Sequence, residues 1–198
     1  MITNCLPSFY ENEHDTTDNG KETILDYNLN WILRCGADHY AKADEKINTY
    51  GRNFILALLY GKNVKDGYEL DNKKYQSYRI ISVDTWRQWE QIDLIAEVVI
   101  QTPETTEKYV ISIENKMYTS IGNGQLEKYK CIVDEYYKDN DYKPIHVFIK
   151  AEEVNQEEIQ KCKDNEYKWL TFYDIINCVK ITQKTGNYLF DEFWFRYW

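Results

Sequence analysis

The sequence contains little proline and glycine, and it has no long hydrophobic run. Its 198 residues include 3 Pro and 8 Gly, too few for a collagen-like or low-complexity chain. No stretch approaches the roughly 18 continuous apolar residues of a membrane span. The N-terminus lacks a basic region followed by an apolar run, so no secretory signal is predicted. We therefore expect a globular chain that does not associate with a membrane.

Cysteines are few and show no pairing pattern. The five are Cys5, Cys35, Cys131, Cys162 and Cys178, and none of them belongs to a CxxC pair or a cluster with histidine. This spacing argues against zinc ribbons and redox dithiols. Scattered thiols are typical of a reducing compartment, so we expect a cytoplasmic location.

Positive charge is in deficit. The chain has 24 Lys and Arg against 33 Asp and Glu, which gives a formal net charge of -9. A protein that coats nucleic acid passively is usually basic. The acidic excess does not exclude an enzyme that acts on DNA, but its phosphate contacts would need a local basic patch or bound cations. Motifs of NTPases, dinucleotide-binding proteins and lipases are absent as well.

The length and the even composition predict one domain over residues 1–198. Domains commonly contain roughly 100–200 residues, and no repeat or linker-like segment divides this chain. Residues 1–20 are polar and acidic, and we expect them to form a loose N-terminal arm or a cap.

Helical periodicity alternates with runs rich in β-branched residues. Helices are predicted at 21–35, 125–137, within 152–166 and at 172–179. Strands are predicted at 92–101, 108–116, 144–150 and 168–170. Asn19 is the expected N-cap of the first helix, and Gly36 its stop. Residues 62–78 are not assigned. This order predicts an α/β (α+β) domain with a mixed sheet flanked by helices.

One face of the helix at 125–137 is predicted to be apolar. Leu126, Tyr129, Val133 and Tyr136 recur at helical spacing. The aromatic C-terminus, FDEFWFRYW, is expected to be a core element, with an interface anchor as the alternative.

The two central strands carry the residues that suggest chemistry. A turn centred on Pro103 and Glu104 places Asp93 directly opposite Glu114. Opposite residues of an antiparallel pair share one face, with Cβ atoms about 5 Å apart. Lys116, two residues after Glu114, projects to that face too. The sequence therefore predicts two carboxylates and one ammonium group at one end of the sheet.

Two carboxylates this close repel each other, which favours a bound proton or a bound cation. Mg²⁺ suits such a pair, because it accepts one or two carboxylates together with water and phosphate oxygens. Lys116 would then orient the attacking water or stabilise developing negative charge. The alternative is a solvated hairpin with a Glu114–Lys116 surface ion pair, worth about 0–1 kcal/mol.

These residues resemble the PD-(D/E)XK nuclease superfamily. Asp93 is followed by ENKM at 114–117 and by QLEKY at 125–129, which is similar to a bacterial branch whose signature reads ENKI and then QLxxY. Members of that branch also carry an acidic residue on the first helix. Glu22 fits that place, and Asp26 is a rival for it.

The resemblance implies a restriction-endonuclease-like core and a Mg²⁺-dependent deoxyribonuclease, with Mn²⁺ as a substitute metal. Asp93 and Glu114 would ligate the metal, and Glu22 would complete the acidic set directly or through a water. Lys116 would position or activate the attacking water. Gln125 and Tyr129 would line the site and contact substrate phosphate.

Each of the added residues has an ordinary structural alternative. Glu22 could serve only as the third residue of an Asn19 capping box. Tyr129 could be core packing alone, and Gln125 could be solvated at a helix start. His146, within a strand, is expected to pack rather than to catalyse.

The chain also departs from the family pattern at several positions. Gln91 stands where relatives often have a basic residue, Ile92 replaces the nominal proline, and Ile121 falls where relatives tend to be acidic.

Two function classes follow. The first is a metal-dependent nuclease that hydrolyses phosphodiester bonds of DNA, with endonuclease and exonuclease action both open. The second is a catalytically weak or inactive nuclease-like module that binds or regulates a protein partner. An RNA substrate is a third, weaker alternative, since nothing in the sequence reads a 2′-hydroxyl. A homodimer is also expected, because enzymes that cut both strands often pair two sites by two-fold symmetry.

Overall fold

A computed structural model describes residue 9, residues 20–65 and residues 67–195. Several sequence predictions therefore lie outside the described residues: the arm up to residue 19 apart from residue 9, Cys5, and the last three residues of the aromatic C-terminus. The prediction of Asn19 as the N-cap of the first helix is wrong, because Gly20 occupies that position. The prediction of one domain over the whole chain stays a prediction.

Six α-helices and seven strands follow one another along the described residues. The helices are α1 Lys21–Cys35, α2 Glu45–Tyr60, α3 Gln125–Tyr137, α4 Gln156–Asp164, α5 Phe172–Val179 and α6 Tyr188–Phe195. The strands are β1 Lys62–Val64, β2 Gly67–Glu69, β3 Arg79–Trp89, β4 Ile92–Gln101, β5 Thr106–Lys116, β6 Lys143–Lys150 and β7 Lys168–Thr171.

A five-stranded mixed sheet lies at the centre, in the order β3-β4-β5-β6-β7. Strands β3, β4 and β5 pair antiparallel, whereas β5, β6 and β7 pair parallel. Strands β1 and β2 form a separate two-stranded hairpin. The predicted mixed sheet flanked by helices is confirmed.

The sheet buries both of its faces. One face, which we call the α1 face, contributes apolar side chains such as Ile111 and Ile113 to a large core with α1, α2, α5 and α6. The opposite face, the α3 face, packs Val110 against α3 and Phe148 against residues of α3 and α4. Because a strand alternates its side chains, neighbouring residues of β5 enter different environments.

The hairpin of β4 and β5 has the predicted register. Leu94 pairs with Ile113, and Gln101 pairs with Thr106. The turn between the strands is closed by the backbone N–H of Thr102, which donates to the carbonyl of Thr105 at 2.8 Å. Continued by one residue, this register brings Asp93 opposite Glu114, at the end of the sheet that carries the candidate site.

The predicted bounds of α1, α3 and α5 are confirmed, but one stripe residue is wrong. Tyr136 is 63% exposed, and its ring packs edge-on against Trp89 at the surface. Tyr137 takes the buried place instead, and its hydroxyl donates to Glu97 Oε1 at 2.8 Å. Four residues separate Tyr137 from Val133, which keeps it on the same helix face.

Strand β3 and helix α2 were not predicted. Strand β3 is 11 residues long and lies at the edge of the sheet, with a register shift between Ile80 and Ser82. It joins β4 through Glu90 and Gln91, with φ angles of 50° and 70°. Both residues thus occupy the left-handed region, where Asn and Gly are the usual residues of a two-residue hairpin turn. The sequence carries no such signal here.

The aromatic C-terminus is a core element as far as it is described. Phe190, Phe193 and Trp194 of α6 are buried in the large core. None of the helices in the described ranges has the length and apolar character needed to cross a membrane.

Candidate active site

The candidate site lies where β4 begins and β5 ends. The backbone N–H of Asn115 donates to Asp93 Oδ2 at 3.0 Å. Asp93 is half-buried, whereas Glu114 is only 1% exposed. The two carboxylates that the sequence predicted to share a face therefore do lie together at one end of the sheet.

Glu114 has one engaged oxygen and one unpartnered oxygen. Its Oε1 atom lies 2.6 Å from Lys116 Nζ and accepts a second hydrogen bond from Gln125 Nε2 at 2.6 Å. Its Oε2 atom is buried and has no hydrogen-bond partner among the described residues. Burial raises the pKa of Glu114 to about 7, the negative charge of Asp93 adds to the rise, and Lys116 opposes it.

Lys116 is held in its charged form by the surrounding carboxylates. Burial lowers the pKa of its ammonium group, but Glu114, Asp93 and Glu22 outweigh burial, so that the pKa is raised. Its side chain is 13% exposed. Lys116 is therefore a protonated donor close to both strand carboxylates.

The structure separates the two acidic candidates on α1. Glu22 Oε1 accepts from Thr119 Oγ1 at 2.7 Å and from the backbone N–H of Met117 at 3.4 Å, so it lies beside the residues that follow β5. Its capping-box alternative is wrong, because Gly20 occupies the N-cap position of α1 and gives no side-chain cap.

Asp26 is 4% exposed and accepts a short hydrogen bond from Asn115 Nδ2. Burial raises its pKa to about 6, although the bond from Asn115 opposes that rise. Asp26 is thus engaged beneath the site, whereas Glu22 is half-buried and close to the charge of Lys116.

The QLEKY segment, residues 125–129, contacts the site through Gln125. Its Nε2 atom donates to Glu114, and its Oε1 atom accepts from the backbone N–H of Gly122 at 3.0 Å. Tyr129 is 7% exposed and packs in the apolar cluster beneath α3. Its hydroxyl lies 3.5 Å from Gln125 Nε2. Tyr129 therefore combines core packing with a contact to the site.

Sequence reasoning missed three residues that touch the site. Gln88 Nε2 donates to Asp93 Oδ1 at 3.2 Å, Asn115 links Asp93 to Asp26, and Thr119 donates to Glu22. Gln88 belongs to the unpredicted strand β3. Asn115 stands inside the ENK motif, and that position was the only available signal.

The donor set fits a hard divalent cation. Asp93 and Glu114 supply carboxylate oxygens, which Mg²⁺ and Mn²⁺ prefer, and the unpartnered Glu114 Oε2 is a buried anionic atom that a cation would satisfy. In the described part of the chain, no group of three His, Cys, Asp or Glu side chains is arranged to hold a metal. A cation here would complete its shell with water and phosphate oxygens.

The remaining sequence candidates are occupied elsewhere. His146 is buried between Ser112 Oγ, at 2.7 Å from Nδ1, and Asp134 Oδ1, at 3.0 Å from Nε2, which agrees with the packing role expected for it. Lys130 pairs with Asp134 and Glu166. Ile121 is buried in an apolar cluster, where relatives tend to carry an acid.

Comparison with known proteins gives one family and one solved structure. The family model described as the PD-(D/E)XK nuclease superfamily matches residues 12–188, which confirms the resemblance in the sequence. The fold is also similar to a solved structure described as the DNA modification-dependent restriction endonuclease AspBHI, at 13% identity and a TM-score of 0.38. That similarity covers 85% of this chain but 38% of the solved chain. No curated protein matches the sequence.

Proposed function

Because the chain belongs to the PD-(D/E)XK nuclease superfamily, we propose that it is a metal-dependent nuclease that hydrolyses phosphodiester bonds of DNA. Nucleases of this superfamily generally use divalent metals. One observation carries the proposal: beside Asp93 and Lys116, Glu114 has one buried oxygen that no described residue contacts by a hydrogen bond. A purely structural carboxylate would have both oxygens satisfied.

Asp93 and Glu114 would hold Mg²⁺, or Mn²⁺ in its place, and Glu22 would join them through a water. The bound metal would neutralise phosphate charge and lower the pKa of a coordinated water. Gln88 and the Asn115 backbone N–H orient Asp93, while Gln125 fixes Oε1 of Glu114. This arrangement leaves Oε2 of Glu114 available as a ligand.

Lys116 would act on the attacking water and on the phosphate. Its ammonium group is a donor only, and the neighbouring carboxylates keep it protonated. It would therefore orient the water by donating a hydrogen bond to the water oxygen, without acting as a base, and it would stabilise negative charge that develops on the phosphate oxygens. Gln125 and Tyr129 would line the substrate side of the same carboxylate.

The direct test is a nuclease assay on plasmid and single-stranded DNA, with Mg²⁺, Mn²⁺ or EDTA. We expect cleavage that requires metal and disappears in Lys116→Ala while the folded state is retained. Lys138→Ala is the matched control, because Lys138 is exposed on the loop after α3 and pairs only with Glu135 among the described residues. Normal cleavage by Lys116→Ala would overturn the mechanism.

The sizes of the cleavage products separate endonuclease from exonuclease action. We expect the enzyme to work in the cytoplasm.

A binding or regulatory module is the second candidate function. The net charge of -9 and the buried Ile121 at an expected acidic position favour it. A module without a working site would show no rise in melting temperature with Mg²⁺ or Mn²⁺, because only a ligand that binds the native state raises it. A metal-dependent rise together with cleavage would dismiss this candidate.

A further inference from the structure

Arg87 and Tyr27 form a stacked pair next to the candidate site. Arg87 lies on β3 and Tyr27 on α1, and the guanidinium carbon lies 3.4 Å from the centroid of the tyrosine ring. Tyr27 is 58% exposed. The pair therefore lies at the surface, where β3 and α1 meet.

The pair lies on the α1 face of the sheet, close to Asp26. Arg87 is opposite Leu94, which belongs to the core with α1. Tyr27 follows Asp26, which accepts from Asn115. Asn115 in turn donates its backbone N–H to Asp93. The electrostatics agree with this proximity. Burial raises the pKa of Asp26, and the positive charge of Arg87 opposes that rise.

The guanidinium of Arg87 is not neutralised by a carboxylate. Within the ranges that the structure describes, Arg87 forms no ion pair, and its buried Nε atom has no hydrogen-bond partner. Two other cations near the site are paired with carboxylates: Lys116 with Glu114, and Lys130 with Asp134 and Glu166. Lys128 instead donates to the neutral Gln91 at 2.8 Å. A chain with a net charge of -9 can hold a polyanion only through cations that its own carboxylates leave unpaired.

From these observations we infer that Arg87, held flat against Tyr27, binds a non-scissile phosphate of the nucleic-acid substrate beside the cleavage site. This inference rests on the proposed function, since it names how that site holds its substrate. A planar guanidinium donates two parallel hydrogen bonds to phosphate, which the point charge of lysine cannot do. Stacking on tyrosine orients the guanidinium before the substrate arrives.

The test measures DNA binding in EDTA, so that it does not depend on cleavage. Fluorescence anisotropy with labelled single-stranded and duplex DNA compares wild type with Arg87→Met, which keeps an unbranched side chain and removes the guanidinium. We expect Kd to rise about tenfold, and the slope of log Kd against log salt to fall by about 1. Arg79→Met is the control, because Arg79 lies at the far end of β3, opposite Gln101 of β4. Its side chain is 66% exposed and forms an ion pair with Asp38, so it is a cation that the chain's own carboxylates already neutralise.

Two further variants separate phosphate binding from a structural role. Tyr27→Phe keeps the ring and should bind like wild type, whereas Tyr27→Leu should weaken binding severalfold. Arg87→Lys keeps the charge but loses the planar fork, so its Kd should lie between wild type and Arg87→Met. Melting temperatures of the variants should stay within about 2–4 °C of wild type, and Arg87→Gln replaces Arg87→Met if the latter does not fold.

Steady-state cleavage gives a second readout. A phosphate contact made equally in the ground state and the transition state raises KM and leaves kcat unchanged. An unchanged Kd and salt slope in Arg87→Met would overturn the inference, as would a fall in kcat at constant KM. Wild type that binds DNA through Arg87 but cleaves none with any metal would instead overturn the proposed nuclease and leave the phosphate site standing.

Discussion

The two faces of the central sheet are both buried, but they differ in chemistry. Along β5, Ile111 and Ile113 enter the apolar core on the α1 face, while Ser112 and Glu114 lie on the α3 face, and each of the four is at most 1% exposed. Strand β6 repeats the contrast, with Val147 and Ile149 opposite His146 and Lys150. Around these residues the α1 face is held by apolar packing, and its buried polar pair, Asn115 with Asp26, lies at the end of the sheet near the site. The α3 face buries polar groups along the middle of the strands.

Most polar groups on the α3 face are satisfied by one another. Ser112, His146 and Asp134 form a hydrogen-bonded chain, and Lys150 donates to both oxygens of Glu158 at 2.8 Å. Since a buried polar group without a partner is costly, such pairing is the ordinary condition of a stable core.

The exceptions concentrate at the candidate site. Four buried side-chain atoms lack a hydrogen-bond partner among the described residues, and three of them belong to Arg87, Glu114 and Asn115. Unsatisfied polarity, rather than buried polarity alone, therefore distinguishes the site from the rest of the sheet.

The sharpest way to test this contrast is Glu114→Gln, for which we expect the largest effect. Loss of a ligand carboxylate should reduce metal-dependent cleavage by about 10³-fold or more. The free energy of unfolding should change by no more than about 1 kcal/mol, because the amide keeps an acceptor for Gln125 and removes a buried charge. Lys116 is not left unpaired, since Asp93 and Glu22 still act on its charge. Cleavage kinetics and urea denaturation measure the two quantities. Glu127→Gln, on the exposed side of α3, is the control, and full activity in Glu114→Gln would remove Glu114 from the site.

The second prediction breaks a satisfied pair on the same face. Lys150→Met leaves Glu158 as an uncompensated buried carboxylate, so we expect a loss of about 3–5 kcal/mol in the free energy of unfolding. The double variant Lys150→Met/Glu158→Gln should recover most of the lost stability, because it leaves no buried charge unpaired. The introduced amide oxygen can still accept from the backbone N–H of Asn155, the N-cap of α4. Urea denaturation of both variants gives the coupling. Equal stability of the single and double variants would mean that the loss does not come from the unpaired charge of Glu158.

On the α1 face, the expected penalty comes from volume alone. Ile111→Ala removes buried methyl and methylene groups and should cost about 3 kcal/mol, whereas Ile111→Val should cost about 1 kcal/mol. Both losses should be independent of pH, because no titrating group is exposed to a new environment. A pH-dependent loss in urea denaturation would show that the two faces are less separate than their packing indicates.

The smallest effect is expected when the pH is lowered, and it concerns His146 on the α3 face. His146 has a pKa lowered from its ordinary value of 6.5, mainly by burial, although Asp134 opposes the shift. Stability from the neutral ring is therefore fully present above pH 6.5 and is lost as the pH falls from there through the folded-state pKa. Asp134 itself has a lowered pKa, so its own contribution is lost only at lower pH.

The difference in unfolding free energy between wild type and His146→Gln isolates this titration, because glutamine does not ionise. The other groups that face the His146 ring or act on its charge are the same in both proteins. They are Lys130, Glu166, Ser112 and Tyr167. A difference that stays flat from pH 7.5 to pH 5 would contradict the assignment.

The sequence predicted the part of the site that depends on local patterning. The turn at Pro103 and Glu104 determines the hairpin register, and that register alone brings Asp93 opposite Glu114. The helix starting at Gln125 follows from its apolar period. Each of these features depends on residues close together in the chain.

The parts that could not be predicted depend on contacts between distant segments. Strand β3 has little apolar alternation, and its turn uses Glu90 and Gln91 where Asn and Gly would have given a signal. Gln88 and Arg87 were therefore missed with it. Glu22 and Asp26 share one face of α1 at a spacing of four residues, so only burial against β5 separates their environments.

The exposed edge of the sheet has a consequence for how the protein behaves at high concentration. Within the described residues β3 pairs only with β4, which leaves the opposite side of an 11-residue strand available to the strands of other chains. The register shift after Ile80 and the charges of Arg79 and Asp84 interrupt that edge, and such interruptions discourage edge-to-edge aggregation. Replacing Asp84 with valine should therefore make the edge more prone to pair with other chains, which light scattering would detect as association that increases with concentration.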